Sequence, residues 1–210
     1  MHQISLGKSF GWAGETFFNQ WRLVLKTLLF VTLVPFIPLI FLELPIGFIF
    51  LNSKYSILGW VLPALIHLVI MLIIWTGMIN IAMQLYQRGF SSLQAMFALP
   101  GTVLARVLVV GIIYHTIVML GFICFIVPGF YLMGRYYFAL YNVIFERTGI
   151  TDSFTRAAEQ SRDNMLPIIV LSIVSHILMS TGIFFFMANL MNVHAYGTRL
   201  GLQPHNADNR

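Results

Sequence analysis

The sequence predicts an all-α polytopic transmembrane bundle of about five spans with amphipathic interfacial helices, and three observations predict it. Apolar residues make up 59% of the 210 and charged residues only 9%, against roughly 45–50% and 25% in soluble domains. A water-soluble fold of that composition lacks the polar surface to cover itself, and the mean hydropathy of +0.85 says the same. Second, Leu23–Phe41, Ile57–Met83, Val103–Val127 and Leu166–Leu190 each reach or exceed the ~18–20 residues that cross a hydrocarbon core at roughly 1.5 Å per residue. Third, the basic residues sort by side. With the N-terminus inside, Lys8, Arg22, Lys26, Arg88, Arg106, Arg147, Arg156 and Arg162 fall inside, whereas Lys54, Arg199 and Arg210 fall outside. Excess Lys and Arg mark the cytoplasmic side, so the expected topology is N-terminus cytoplasmic and C-terminus periplasmic. The sequence pI near 9.6 is therefore a membrane-orientation signal and implies no nucleic-acid partner.

In chain order, an interfacial helix is expected near 9–21, where Phe10, Phe17, Phe18 and Trp21 fall at i, i+7, i+8 and i+11, one helical face. The first span, near 23–42, carries Pro35 and Pro38 and is followed by Glu43 and Pro45. Each Pro removes a backbone donor and kinks or ends a membrane helix. Residues 44–52 are too few to cross and read as a re-entrant or interfacial piece. The second span lies near 57–83. In "SSLQAMFALPG" a short interfacial helix near 91–99 has Ser91 or Ser92 placed to cap it and Pro-Gly to end it. The third span is near 103–127. The fourth, near 129–146, is short and contains Arg135, yet with tilt or local thinning it still spans.

A third interfacial helix is expected near 152–164, with Phe154, Ala157, Ala158, Ser161 and Met165 as its stripe. Its outer face offers Asp152–Arg156 and Glu159–Arg162 as i,i+4 and i,i+3 pairs. The fifth span is near 166–191, and 194–210 read as a polar C-terminal tail after a single membrane domain, 1–193. "YQRGFSSLQA" and "FERTGITDSFTRA" share an aromatic, Arg, Gly, apolar, hydroxyl entry, which suggests a repeated unit of interfacial helix plus hairpin. The single cysteine, Cys124, excludes a disulfide framework within one chain and reads as a small buried hydrophobe near a helix end.

Two stretches, "GETFFNQWRLVLKTLLF" and "VPGFYLMGRYYFALYNVIFERTGITDSFTRAAEQSRDNMLPIIVLSI", resemble the YciC-type bacterial inner-membrane family, related to the membrane portion of some glycerophosphodiester phosphodiesterases. The hallmarks here are Val127-Pro128-Gly129 at a tight hairpin, a following span ending in Glu146, and a small-residue helix around Ala157, Ala158 and Ser161. The resemblance implies a six-span fold in the bacterial inner membrane and no established chemistry. This chain reads as stopping after the fifth span.

The acidic residues exclude most catalysis. Six of the seven, Glu15, Glu146, Asp152, Glu159, Asp163 and Asp208, lie in loops, interfacial helices or the tail, and only Glu43 touches an apolar run. Phosphodiester hydrolysis wants clustered carboxylates or a metal, and proton pumps want intramembrane acids, so an enzyme is not expected. Arg135 sits among Tyr131, Tyr136 and Tyr137, with Glu43 as its natural partner. It reads either as a lipid or ligand headgroup site under the outer surface, or as a snorkelling cation in a tyrosine belt. His67, His115 and His176 lie near the middles of three spans. They converge on a haem or metal, or stand as three separate polar side chains bonded to their own helices; no cofactor is expected. The functional expectation is a non-enzymatic scaffold or accessory subunit that packs against other membrane subunits or organises lipid. The alternatives are a lipid or small-molecule transporter and a histidine-based haem or metal protein.

Overall fold

The computed structural model describes residues 3–34, 56–180 and 185–205, and among them the chain is all-α with no strand. Of the first expected span only the part to Val34 falls within the described residues. Pro35, Pro38, Glu43 and the 44–52 segment lie outside them.

Helix α1 (Leu6–Asn19) opens where the Ser5 hydroxyl accepts from the Lys8 N–H, 3.4 Å, an N-cap bond. The expected aromatic stripe is divided. Phe10, Phe18 and Trp21 are exposed, Phe17 packs on the core, and the buried face is the small pair Ser9 and Ala13. Small residues let α1 lie close on the last described helix, Phe185–Arg199, and its aromatic residues Phe10 and Phe18 are left exposed. Helix α2 (Trp21–Leu33) leaves the same end of the molecule, where the Gln20 amide donates to the Gly89 carbonyl.

Helix α3 (Ser56–Arg88) is 33 residues long, roughly 50 Å at 1.5 Å per residue. Ile74 to Tyr86 packs inward, whereas Leu65, Leu68, Val69 and Met71 are exposed. It stops at Gly89, whose φ of +72° suits a residue without a Cβ. The expected helix at 91–99 is a 3-10 turn, Leu93–Phe97, and neither serine caps it by side chain: Ser92 makes no cap bond and Ser91 donates to Gln84. The turn rests on Gly77, where an added Cβ would lie 2.6 Å from the Met96 carbonyl oxygen, and the Asn80 amide donates to Ala95.

Helix α4 (Gly101–Cys124) reverses into α5 (Ile126–Tyr136) through the extended Phe125. Val127-Pro128-Gly129 thus forms the first turn of α5, where Pro sacrifices no helical bond, and Gly121 and Gly129 touch: a Cβ on Gly121 would sit 3.0 Å from the Gly129 Cα. Cys124 is exposed, not buried as expected.

The expected span at 129–146 is two helices. Helix α5 ends at Tyr136, Tyr137 and Phe138 turn, and α6 (Ala139–Phe145) follows. The Ser161 hydroxyl bonds the Arg135 carbonyl at this break, and Ala139 to Ile144 are all buried, so α6 is interior and not lipid-facing. Helix α7 (Ile150–Ser161) buries Ser153, Ala157, Gln160 and Ser161. The expected Asp152–Arg156 pair is replaced by Arg156 with Glu146, and no Glu159–Arg162 ion pair occurs among the described residues.

The largest departure is at the C-terminal end. The run expected as one span, 166–191, contains α8 (Met165–Ser180) and the start of α9 (Phe185–Arg199). Helix α9 extends six residues into the expected tail and is buried at nearly every position. It returns against α8, so the Arg199 guanidinium donates to the Gln160 carbonyl and lies 3.6 Å from Asp163. The His205 N–H then donates to Tyr86 at 2.8 Å. The Ile4 N–H donates to Asn164 beside them at 2.9 Å. Both ends of the described chain therefore meet at the end of the bundle where α3 stops, which corrects the expectation of termini on opposite sides. Seven cationic residues gather at this basic end. Lys8 lies beside His194, Arg88 is at the end of α3, and Arg106 donates to the Arg147 carbonyl. Arg156 pairs with the Glu146 that meets Tyr196, and Arg199 lies by Asp163, next to Arg162 in the chain. Two described helical stretches, Leu65–Arg88 and Gly101–Cys124, are long and apolar enough to cross a membrane, and Met165–Leu178 is a shorter apolar one. Five such spans were expected.

Candidate functional site

Helices α4, α5 and α7 leave an open cleft of about 770 Å³ between them. Its walls are Ile113 from α4, Arg135 and Tyr136 from α5, and Ile150, Thr151, Phe154, Thr155, Ala158, Glu159 and Arg162 from α7. Arg135 is held over aromatic surface. Its guanidinium donates to the Tyr131 hydroxyl at 2.6 Å and lies 5.7 Å and 6.0 Å from the Tyr131 and Tyr136 ring centres, within cation–π range. Tyr136 is fixed in turn by an edge contact with Phe154 at 5.4 Å. Among the described residues no carboxylate lies within ion-pair distance of Arg135. The cleft thus sets two guanidiniums, Arg135 and Arg162, against one carboxylate, Glu159.

Of the residues singled out in the sequence, Arg135, Tyr131 and Tyr136 are together. Tyr137 is not: it points across the bundle, donating to the Asn192 side chain at 3.0 Å. Glu43 lies outside the described residues. Arg135 lies seven residues along α5 from Pro128, roughly 10 Å at 1.5 Å per residue, and α5 ends against α7, where the Ser161 hydroxyl bonds the Arg135 carbonyl. Arg162 and Glu159 were missed as site residues. The signal was present, because Thr151, Thr155, Glu159 and Arg162 fall at i, i+4, i+8 and i+11, one polar face of α7.

Two of the three histidines share a second, smaller cavity of about 260 Å³, lined by Trp75, Tyr114, His115, Tyr137, Leu140, Tyr141, His176 and Asn192. His115 Nδ1 lies 2.7 Å from the Gly111 carbonyl and His176 Nδ1 lies 2.7 Å from the Ser172 carbonyl. A carbonyl only accepts, so each Nδ1 carries the hydrogen and the neutral ring leaves Nε2 as an acceptor. His67 is not in this lining, so the three-histidine convergence is reduced to a pair. Among the described residues no group of three or more His, Cys, Asp or Glu is placed to hold a metal ion.

A fourth histidine, His194, joins the termini at the basic end, beyond the apolar stretches. Its Nδ1 lies 3.0 Å from the Ser9 hydroxyl, and its ring lies 5.4 Å from Trp12 and 5.7 Å from Tyr86. Burial, with the Lys8 charge adding to it, pushes its pKa down to about 4, so the imidazole is neutral at pH 7.

No family model, curated protein or solved structure matches the chain.

Proposed function

We propose that this chain is a non-enzymatic integral membrane protein that seats an anionic lipid headgroup in the Arg135 cleft and serves there as a scaffold or accessory subunit of a larger membrane assembly. The observation that carries the reading is the cleft itself: Arg135, braced by Tyr131 and Tyr136, shares an open, half-apolar cavity with Arg162 at the basic end. A phosphate there replaces water around two cations with charge-assisted bonds, while Ile113, Ile150 and Phe154 offer surface to the first carbons of the acyl chains. Basic pockets between membrane helices on the cytoplasmic side are suited to such headgroups, and seven cations at one end favour that end as cytoplasmic.

The legs of the bundle run α2 away from the basic end, α3 back, α4 away, α5 and α6 back, α8 away and α9 back. Six legs are what the resemblance to the YciC-type family implies, so α9 supports both that reading and a bacterial inner-membrane location. Native mass spectrometry of gently extracted protein tests the proposal. The expected spectrum shows a phospholipid-sized adduct, anionic in preference to zwitterionic, that Arg135→Leu loses, and a second polypeptide of defined mass. A lone chain that keeps the same lipid after Arg135→Leu contradicts both halves of the proposal.

A further inference from the structure

The histidine cavity lies at the level where α5 breaks into α6, apart from the headgroup cleft. Its floor is Asn192, which is fully buried. The Asn192 Oδ1 accepts from the Tyr137 and Ser175 hydroxyls, 3.0 Å and 2.8 Å, whereas its Nδ2 has no hydrogen-bond partner among the described residues. A buried amide donor without an acceptor is costly. At the other side stand His115 and His176, both exposed, so the cavity opens there toward the lipid. Their Nδ1 atoms are committed to their own helices, which leaves two Nε2 acceptors at the mouth. The walls between are aromatic, Trp75 and Tyr141. At about 260 Å³ the space lies below the ~300–1,000 Å³ of common ligand pockets; it suits one substituted six-membered ring and is too small for a tetrapyrrole.

We infer that this cavity binds the ring of a lipid-soluble hydroquinone. One ring oxygen accepts from the Asn192 amide and a ring hydroxyl donates to a histidine Nε2. The ring lies against Trp75 and Tyr141, and the isoprenoid-type tail leaves past the histidines into the bilayer. The oxidised quinone has acceptors only, so its second carbonyl faces imidazole lone pairs. The reduced form is therefore the one selected.

The test is calorimetric titration of the full-length protein in nanodiscs with a short-tailed benzoquinol under reducing conditions, and with the matching benzoquinone. The expected result is one-to-one quinol binding, at least tenfold tighter than quinone, with both the affinity and the preference falling at least tenfold in the His115→Phe/His176→Phe double variant. Both positions are exposed, so the variant is expected to fold, and its anionic-lipid adduct through Arg135 reports that it has. Absence of saturable quinol binding to the native protein, with water alone filling the cavity, overturns the inference. So does equal binding by the double variant. Either failure leaves the headgroup reading standing, because that site shares none of these residues.

Discussion

The return of α9 to the basic end rests on one close approach, and Gly197→Ala tests it. A Cβ at Gly197 would lie 2.5 Å, 2.6 Å and 2.8 Å from Cε1, Cζ and the hydroxyl oxygen of Tyr86. The Tyr86 ring cannot swing away freely. It is fully buried, sits edge-on to Trp12 at 5.3 Å and to His194 at 5.7 Å, and its hydroxyl donates to the Leu202 carbonyl at 2.8 Å. Overpacking of this kind costs about 1–3 kcal/mol, and a displaced Tyr86 hydroxyl adds about 1 kcal/mol. Replacing Gly by Ala in a helix returns up to about 1 kcal/mol. The net is a destabilisation of about 1–3 kcal/mol, measurable as a shift in reversible unfolding of the micelle-solubilised protein by sodium dodecyl sulfate. The same substitution in a Tyr86→Leu background meets a smaller side chain, and its cost falls to about 0.5 kcal/mol or less, the coupling expected of residues in contact. A neutral or stabilising Gly197→Ala, or an equal penalty in both backgrounds, refutes the packing of α9 on α3.

His194 makes stability pH-dependent. Its folded pKa, about 4, is below the ordinary 6.5, so between those values the unfolded chain binds more protons than the folded one. The contribution is fully present above pH 6.5 and is lost as pH falls toward 4, by at most about 3 kcal/mol; His194→Gln flattens that part of the stability profile, and an unchanged profile contradicts the buried neutral imidazole. Because the described ends meet at one end of the bundle, the proposed membrane reading places both on one side. In a Cys124→Ser background, Ser5→Cys and Gln203→Cys are expected to react with a membrane-impermeant maleimide from the same side of the membrane, and labelling from opposite sides contradicts the six-legged path.

Local pattern carried the sequence reading as far as local pattern reaches. Long apolar runs marked α3 and α4, because a helix long and apolar enough to cross a membrane shows as an unbroken run of such residues. The amphipathic stretches marked α1 and α7 for the same kind of reason, and an arginine among tyrosines marked Arg135. The α8–α9 hairpin was not legible, since 25 apolar residues satisfy the length of a single span as well as they satisfy two shorter legs. Residues 194–199 read as a tail because they are polar, yet His194, Tyr196 and Arg199 each find a partner far away in the chain. His194 meets Ser9, the Tyr196 hydroxyl lies 2.8 Å from Asn142 and 2.7 Å from Glu146, and Arg199 meets the Gln160 carbonyl. Buried polar networks of this sort are tertiary objects and leave no periodicity. The break between α5 and α6 has the same origin, with Ser161 taking the Arg135 carbonyl.

The most direct measurement is the thermal unfolding midpoint of the native protein and of Arg135→Leu in phosphatidylcholine nanodiscs, with and without phosphatidylglycerol. A headgroup held by the cleft stabilises the native fold by mass action, so the midpoint of the native protein is expected to rise with the anionic lipid while that of Arg135→Leu stays fixed. Equal rises in the two proteins, or no rise in either, contradict the headgroup site.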